Sequence, residues 1–348
     1  SDYDDSLNFQ FQPADVQIIW LDTNRYGIED LSAFLEERIK YLQMQSTSPV
    51  LLVTVGQKSV SVKDIAGCTY LNLTEALSFM GDNAYDEAKE KYSGTRLSGA
   101  GCLEAARILG LRYLPALLKP ALKAIVVDLD NTLYHGILGE DGIDALKPYN
   151  RVQQRLKDLK QNGFVLCLAS KNEETDAKEL FAKRTDFILR WEDFTVTAVN
   201  WRPKAENILS LAANLNIGSD AILFVDDNPA EIENVVAAGV PVKTILAVSE
   251  EETDAQLQYF PGLLKLAFSK EDNLRSADIA ANAERRQLAE KLSPEEYFHK
   301  LGIKLVFGID HSEQISRVAE LFGKTNQFIL TYARYNQAEV AKFMTDPD

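Results

Sequence analysis

Residues 124–132 read Ala-Ile-Val-Val-Asp-Leu-Asp-Asn-Thr, a short apolar run that ends in two carboxylates one residue apart and then a hydroxyl. Such a run fits a strand buried on both faces, the habit of parallel sheets covered by helices. In open α/β sheets the chemistry lies just beyond the carboxyl ends of the strands, which places Asp128 and Asp130 where ligands bind. Residues two apart on an extended chain project to the same side. Two carboxylates sharing one small volume repel each other, and the usual remedy is a bound cation or a shared proton.

Three later segments repeat this placement of a polar group at a strand end or helix start. Phe164–Ser170 is an apolar run that ends in Ser170, followed by Lys171 and Asn172; Trp201-Arg-Pro-Lys204 puts an ammonium at the opening of a helix; Ala221–Asp227 ends in a second acidic pair, Asp226 and Asp227. The inventory is a nucleophilic carboxylate, an acid/base carboxylate, hydroxyl and ammonium donors and an acidic metal seat. Phosphoryl transfer to an aspartate requires this set, because an anionic nucleophile must approach an anionic phosphate. Magnesium is the expected counter-ion, a hard cation suited to carboxylates, carbonyls and phosphate oxygens. Ser170 and Asn172 also suit the cap of a following helix, a role compatible with anion binding. Asp227 is as well suited to orienting a neighbour as to ligation.

In order along the chain, Asp-x-Asp-x-Thr, Ser, Lys and Asp-Asp resemble the motifs of the haloacid dehalogenase (HAD) superfamily of aspartyl-phosphate enzymes. The resemblance implies Asp128 as nucleophile and Asp130 as general acid/base. It implies Thr132, Ser170, Lys171, Asn172 and Lys204 as phosphate contacts. The metal site would comprise Asp128, the carbonyl of Asp130, Asp226 and Asp227. A narrower likeness rests on Asp128–Gly142, Ala169–Asn172, Phe224–Glu231 and Gly323–Thr331, which resemble the FkbH-like proteins of HAD subfamily IIIC. That likeness implies removal of phosphate from a glyceryl phosphate substrate such as 1,3-bisphosphoglycerate, with the glyceryl group loaded on the phosphopantetheine thiol of an acyl carrier protein for polyketide and related pathways. Some relatives carry a cysteine directly before the motif serine, where this chain has Ala169. A stand-alone phosphatase of a small phosphoester and a non-catalytic assembly module are the alternative functions.

At 348 residues the chain is long for one core and suggests two or three domains. Residues 1–118 read as a small β-α-β domain: strands at Val16–Leu21 and Val50–Val55 flank a helix carrying Leu31, Phe34, Leu35, Ile39 and Leu42 on one face. In the FkbH-like proteins this region resembles an SGNH-hydrolase fold. Here it lacks the Gly-Asp-Ser and Asp-x-x-His blocks, so a non-catalytic docking role is expected. Residues 119–270 form the expected HAD-type, Rossmann-like parallel α/β core, with no large cap. Its Gly-rich flap spans Tyr134–Gly142, a helix opens at Pro148, and a helix over Glu173–Lys183 precedes a strand over Asp186–Arg190. Residues 271–348 read as a charged helical stretch, a strand over Ile303–Asp310 and a helix over Ser312–Gly323. By resemblance they are the start of an incomplete acetyltransferase-like domain.

A net charge of −15 disfavours nucleic acid as a partner, since phosphate repulsion opposes the encounter. An acidic carrier protein would need a local basic surface, for which Lys119, Lys123, Arg151, Arg155 and Lys157 are candidates. Three scattered cysteines make neither a disulfide framework nor a zinc site, and a cytoplasmic location is expected. Cys167 is expected in the core and Cys102 buried on a helix, while His135 is expected as a surface residue of the flap. No apolar stretch approaches the length of a membrane span.

Overall fold

A computed structural model describes residues 13–27, 30–58, 60, 65–266, 293, 296, 304, 306–324 and 334–345. Two compact units emerge, one formed by Ser1–Pro120 with Val306–Asp348 and the other by Ala121–Leu305. The charged stretch after Asp272 and residues 325–331 of the Gly323–Thr331 motif lie outside the described residues.

In the first unit, β1 (Gln17–Asp22), β2 (Val50–Val55) and β3 (Cys68–Asn72) pair in parallel in the order β1-β2-β3. Between β1 and β2 runs α1 (Leu31–Gln45), whose N-terminus is capped by the Asp30 carboxylate accepting from the Ala33 amide at 3.0 Å. Its stripe of Leu31, Leu35, Ile39 and Leu42 packs on Ile19, Leu21, Val50 and Leu52, as the sequence periodicity requires. Phe34 lies only partly buried at the margin of this core. On α2 (Gly99–Arg107) the buried face is Gly101, Glu104 and Ala105, because a Cβ at Gly101 would meet the Ala84 carbonyl oxygen at 2.2 Å. One position on, Cys102 is turned outward and exposed, contrary to the buried placement expected of it.

Residues Val306–Asp348 add two helices to this unit, Ile315–Lys324 and Gln337–Thr345. The Asn336 amide donates to the Thr47 carbonyl at 2.7 Å, and the Gly67 amide donates to Gln337 Oε1 at 3.3 Å. The expected strand over Ile303–Asp310 does not form among its described residues: Lys304 and Val306–Asp310 are irregular. Val306, Phe307 and Ile309 are 93%, 85% and 80% exposed, so their apolar pattern has no sheet to join.

The second unit is built on five parallel strands: β4 (Ala124–Val127), β7 (Val165–Ser170), β8 (Val196–Val199), β9 (Ile222–Asp226) and β10 (Lys243–Leu246). Their order is β10-β9-β4-β7-β8, which puts the strand that leads into Asp128 at the centre. Ile125 and Val127 face one core, with Val152, Leu156 and Leu159 of α3 (Asn150–Gln161) and Leu180 and Phe181 of α4 (Glu174–Lys183). Ala124, Val126 and Cys167 face the other, with Ile208, Leu211 and Leu215 of α5 (Lys204–Leu215) and Val235 of α6 (Pro229–Ala237). Cys167 is buried, and burial pushes its thiol up to about 12, which makes it an inert part of the core. Among the described residues no helix is long and apolar enough to cross a membrane.

Two boundaries differ from the sequence reading. Pro148 does not open a helix: it pairs with Tyr134 across the small antiparallel ladder of β5 (Tyr134–His135) and β6 (Lys147–Pro148), and α3 begins at Asn150. Nor do residues 186–190 form a strand. Phe187 and Leu189 are buried in strand-like alternation, but the Ile188 and Leu189 amides donate to Gln153 Oε1 at 2.9 and 3.2 Å. The edge of β7 is taken by β8 instead, a pairing entered by the Thr195 amide donating to the Leu166 carbonyl at 2.8 Å.

Gln153 is fully buried and also donates from Nε2 to the Leu133 carbonyl at 2.9 Å, so one side chain satisfies three backbone groups. Gln153→Leu keeps the bulk but strands those groups away from water. The expected cost is about 3 kcal/mol, since each unsatisfied buried group costs roughly 1–3 kcal/mol. A urea denaturation midpoint unchanged from wild type would refute this account.

Candidate active site

Parallel register sets the geometry of the strand ends. Val127 of β4 pairs with Leu168 on one side and Val225 on the other, so Asp128 leaves the sheet level with Ala169 and Asp226. Asp128 is held there by its amide, which donates to the Val225 carbonyl at 3.0 Å. On the far side of β7 the Asn200 amide donates to the Ser170 carbonyl at 3.0 Å, which docks the loop after β8 beside Ser170. Asn200 Oδ1 then accepts from the Arg202 amide and Asn207 Nδ2, each at 3.0 Å, folding that loop into the first turn of α5. Lys204 is the first residue of the helix, directly after Pro203.

The Lys204 ammonium is 4% exposed and lies 3.0 Å from Asp128 Oδ1 while donating to Asp226 Oδ2. Asp226 is fully buried and accepts on its other oxygen from the Asn228 amide at 2.9 Å. Burial drives the Asp128 carboxyl upward, the Lys204 charge opposes it, and Asp226 reinforces it, leaving Asp128 at about 6. Burial likewise raises Asp226 against the pull of Lys204. The Asp227 carboxyl is raised by burial and by the nearby Asp128 charge. Burial would depress the Lys204 ammonium, but Asp128 and Asp226 outweigh it and hold the ammonium above its ordinary value.

Asp128, Asp226 and Asp227 offer carboxylate oxygens that all lie within 4.8 Å of one another. One ammonium faces three carboxylates here, and hard oxygen donors at this spacing fit a magnesium-sized cation. At this cluster the buried Thr132 hydroxyl has no hydrogen-bond partner among the described residues, and Asp128 Oδ1 has only its ion pair with Lys204. Unsatisfied buried groups of this kind mark places for an ion or ligand.

The other sequence-predicted residues divide. Ser170, 1% exposed, bonds Asp128 through its hydroxyl and accepts from Asn172 Nδ2 at 3.1 Å. Asn172 Nδ2 also donates to Asp130 Oδ2 at 2.9 Å. The Asp130 side chain turns towards the flap, where its Oδ1 accepts from the Tyr134 hydroxyl at 2.6 Å and the Leu138 amide at 2.9 Å. It stands outside the three-carboxylate cluster. Lys171 reaches away from Asp128 to Glu231, at 2.6 Å, on the first turn of α6. His135 is exposed on β5. Sequence reasoning gave no role to Tyr134, Asn131 or Glu231. Asn131 bonds Asp227 through its side chain and accepts from the Gly136 amide at 3.1 Å, tying the acidic cluster to the flap. Its left-handed backbone, φ 50°, is the conformation asparagine tolerates best among non-glycine residues, a signal not used in the sequence reading.

No protein-family model matches the chain, and no curated protein matches it. Solved structures do. The N-terminal part of the protein BF1531 from Bacteroides fragilis, containing a phosphatase domain and complexed with Mg, is 22% identical with a TM-score of 0.53, over 73% of this chain and 80% of that one. The HAD family enzyme bt-2542 from Bacteroides thetaiotaomicron, in complex with magnesium and inorganic phosphate, is 15% identical with a TM-score of 0.29, over 36% of this chain and 93% of that one. A Had-superfamily hydrolase from Ehrlichia chaffeensis is 13% identical with a TM-score of 0.30, over 40% of this chain and 97% of that one. The likeness to the Bacteroides fragilis phosphatase-domain protein establishes that the two chains share a fold.

Proposed function

We propose that the second unit is a magnesium-dependent phosphatase of the HAD type, acting on a phosphorylated small molecule through Asp128. The observation that carries this reading is the meeting of Asp128, Ser170, Lys204 and Asp226 at the ends of adjacent strands, with Asp227 completing a three-carboxylate cluster. Asp128 Oδ forms a bond to phosphorus as the bond from phosphorus to the leaving oxygen breaks, and Asp130 gives that oxygen a proton. Water then attacks phosphorus, its proton passes to Asp130, and Asp128 is regenerated as phosphate leaves. Lys204, Ser170 and Thr132 bind the phosphoryl oxygens. Asp128, Asp226, Asp227 and the Asp130 carbonyl would hold magnesium, which supplies positive charge to the transferring group.

The finer proposal is a glyceryl phosphate such as 1,3-bisphosphoglycerate as substrate and an acyl carrier protein as acceptor. The Asp128–Gly142 and Phe224–Glu231 stretches support it through their FkbH-like pattern, and the short β7–β8 connection leaves the strand ends free of an inserted domain. Position 169 offers no thiol to carry the glyceryl group, so in this reading the carrier's thiol, giving up its proton, bonds the glyceryl carbonyl carbon as that carbon's bond to the phosphate oxygen breaks. The basic residues weighed for carrier docking are partly committed elsewhere: Arg155 pairs with Asp254 at 2.7 Å and Lys157 donates to the Ile188 carbonyl at 2.9 Å. The first unit, an SGNH-like domain in this reading, is the remaining candidate for docking. Intact-mass measurement of a phosphopantetheinylated carrier protein, incubated with the protein, magnesium and 1,3-bisphosphoglycerate, tests this. A glyceryl adduct supports loading, and phosphate release with an unmodified carrier leaves a stand-alone phosphatase.

Asp128→Asn is expected to remove phosphate release while keeping the fold, because the amide is nearly isosteric but not nucleophilic. Near-normal release from a folded Asp128→Asn protein would exclude the aspartyl-phosphate route, and a folded wild type that releases no phosphate from any ester or acyl phosphate would favour an assembly role.

Magnesium is expected to raise the thermal midpoint of the wild type by several degrees, since saturation at 100 times Kd adds about 2.7 kcal/mol. Asp226→Asn should lose most of that gain. Below pH about 6 the gain should shrink, because the Asp128 carboxyl, pushed up to about 6, then binds a proton in competition with the cation. A midpoint indifferent to magnesium at pH 7 would refute the metal assignment.

A further inference from the structure

A carboxyl group has about four lone-pair directions, two on each oxygen. At Asp130 the protein fills three of them. Oδ1 accepts from the Tyr134 hydroxyl at 2.6 Å and the Leu138 amide at 2.9 Å, while Oδ2 accepts from Asn172 Nδ2 alone, at 2.9 Å. A proton on Asp130 therefore has one uncontested seat, on Oδ2. That oxygen lies on the Asn172 side, and the same Asn172 nitrogen bonds Ser170, whose hydroxyl bonds Asp128. The two oxygens of Asp130 are thus unequal, one tied to the flap and the other turned to the strand ends.

We propose that Tyr134 is a positioning residue that, with the Leu138 amide, confines the mobile proton of Asp130 to Oδ2, the oxygen on the side of Asn172 and Ser170. The inference rests on the phosphatase reading and deepens it by assigning the proton to an atom. The phenol suits the task. It is fully buried, its ring packs on Phe187 with centroids 5.8 Å apart, and an ordinary phenol stays protonated at neutral pH and donates to a carboxylate. The flap that supplies the Leu138 amide is itself fixed. Asn131 and Gly136 exchange two hydrogen bonds, at 3.1 and 3.3 Å, and the Asp141 carboxylate accepts from the Ile137 amide at 2.7 Å. A Cβ at Gly136 would meet Leu146 Cδ2 at 2.7 Å, and its φ of +117° is one that side-chain-bearing residues rarely adopt.

When the phosphorus–oxygen bond of an ester breaks, the leaving oxygen takes the Oδ2 proton and Asp130 becomes a carboxylate. In the second step water gives a proton back to Oδ2 as its oxygen bonds phosphorus. With Tyr134→Phe a lone pair on Oδ1 falls vacant and the proton divides between two atoms, one of them facing the flap. The consequence depends on how much the leaving group needs the proton. An alkoxide needs it, whereas a nitrophenolate departs without it.

The test compares Tyr134→Phe with wild type on glycerol phosphate and on p-nitrophenyl phosphate, both with saturating magnesium. The expected kcat falls about tenfold or more on glycerol phosphate and by a few fold on p-nitrophenyl phosphate, in line with the roughly 10²–10⁴-fold worth of a whole general acid. KM should change little on either. Phe187→Leu, which loosens the same ring without touching the phenol, should lower both rates alike. Equal losses on the two esters in Tyr134→Phe, or no loss on glycerol phosphate, would overturn the proposal. A measurement independent of turnover separates this inference from the function beneath it. The Tyr134 hydroxyl proton should give a slowly exchanging, downfield NMR resonance that disappears in Tyr134→Phe and moves in Asp130→Asn. If the wild type hydrolyses neither ester, the phosphatase reading falls, and the resonance still reports whether Tyr134 holds Asp130. Its absence from a folded wild type overturns the positioning role.

Discussion

The Lys204 ammonium, buried against Asp128 and Asp226, ties together the end of β4, the end of β9 and the first turn of α5. Breaking one side of a buried pair of this kind costs about 3–5 kcal/mol, yet well-packed apolar residues in the same volume are often no less stable. Stability alone does not explain such a cluster. The surrounding apolar cores carry the stability, with Ile125 and Val127 packed on one face of β4 and Ala124 and Val126 on the other. They fix the strand ends from which these charges project.

The flap is the second device that the strand ends require. With only a two-residue ladder and a short helical turn between β4 and α3, little chain is available to exclude water from the site. The structure gives this short segment its shape through polar contacts to the residues just beyond the end of β4. Asp130 accepts from Tyr134 and Leu138, and Asn131 links Gly136 to Asp227.

The parts of this arrangement legible in the sequence are those where a strand end and a chemical residue coincide. Ala124–Val127 leads into Asp128, the run to Val225 leads into Asp226, and Pro203 announces the helix that starts at Lys204, so the meeting of these side chains follows from parallel register. Legibility fails where a side chain replaces a backbone partner. Phe187 and Leu189 alternate like a strand, but buried Gln153, which is distant in sequence, takes the Ile188 and Leu189 amides that a neighbouring strand would have bonded. Nor does the pattern around Ser170 announce that Lys171 pairs with Glu231, sixty residues on in the first turn of α6. β3 escaped notice because Cys68–Asn72 is short and half-buried, with its pairing on β2 supplying what its pattern lacks. Nothing in the spacing of Asp130 and Tyr134 says that a phenol will turn back onto a carboxylate four residues before it.

The charge balance sets what the site can hold. Three carboxylates against one ammonium leave a net negative site, and burial already lifts the Asp128, Asp226 and Asp227 carboxyls above their ordinary range. A second buried lysine would relieve the repulsion but would itself have to be stripped of water, a further cost. A compact divalent cation would relieve it, and oxygen-only donors suit magnesium better than softer metals. The same balance explains why Lys204 is bonded to two carboxylates at once. Shared between Asp128 and Asp226, its one charge is divided between two buried carboxylates and offsets only part of their repulsion.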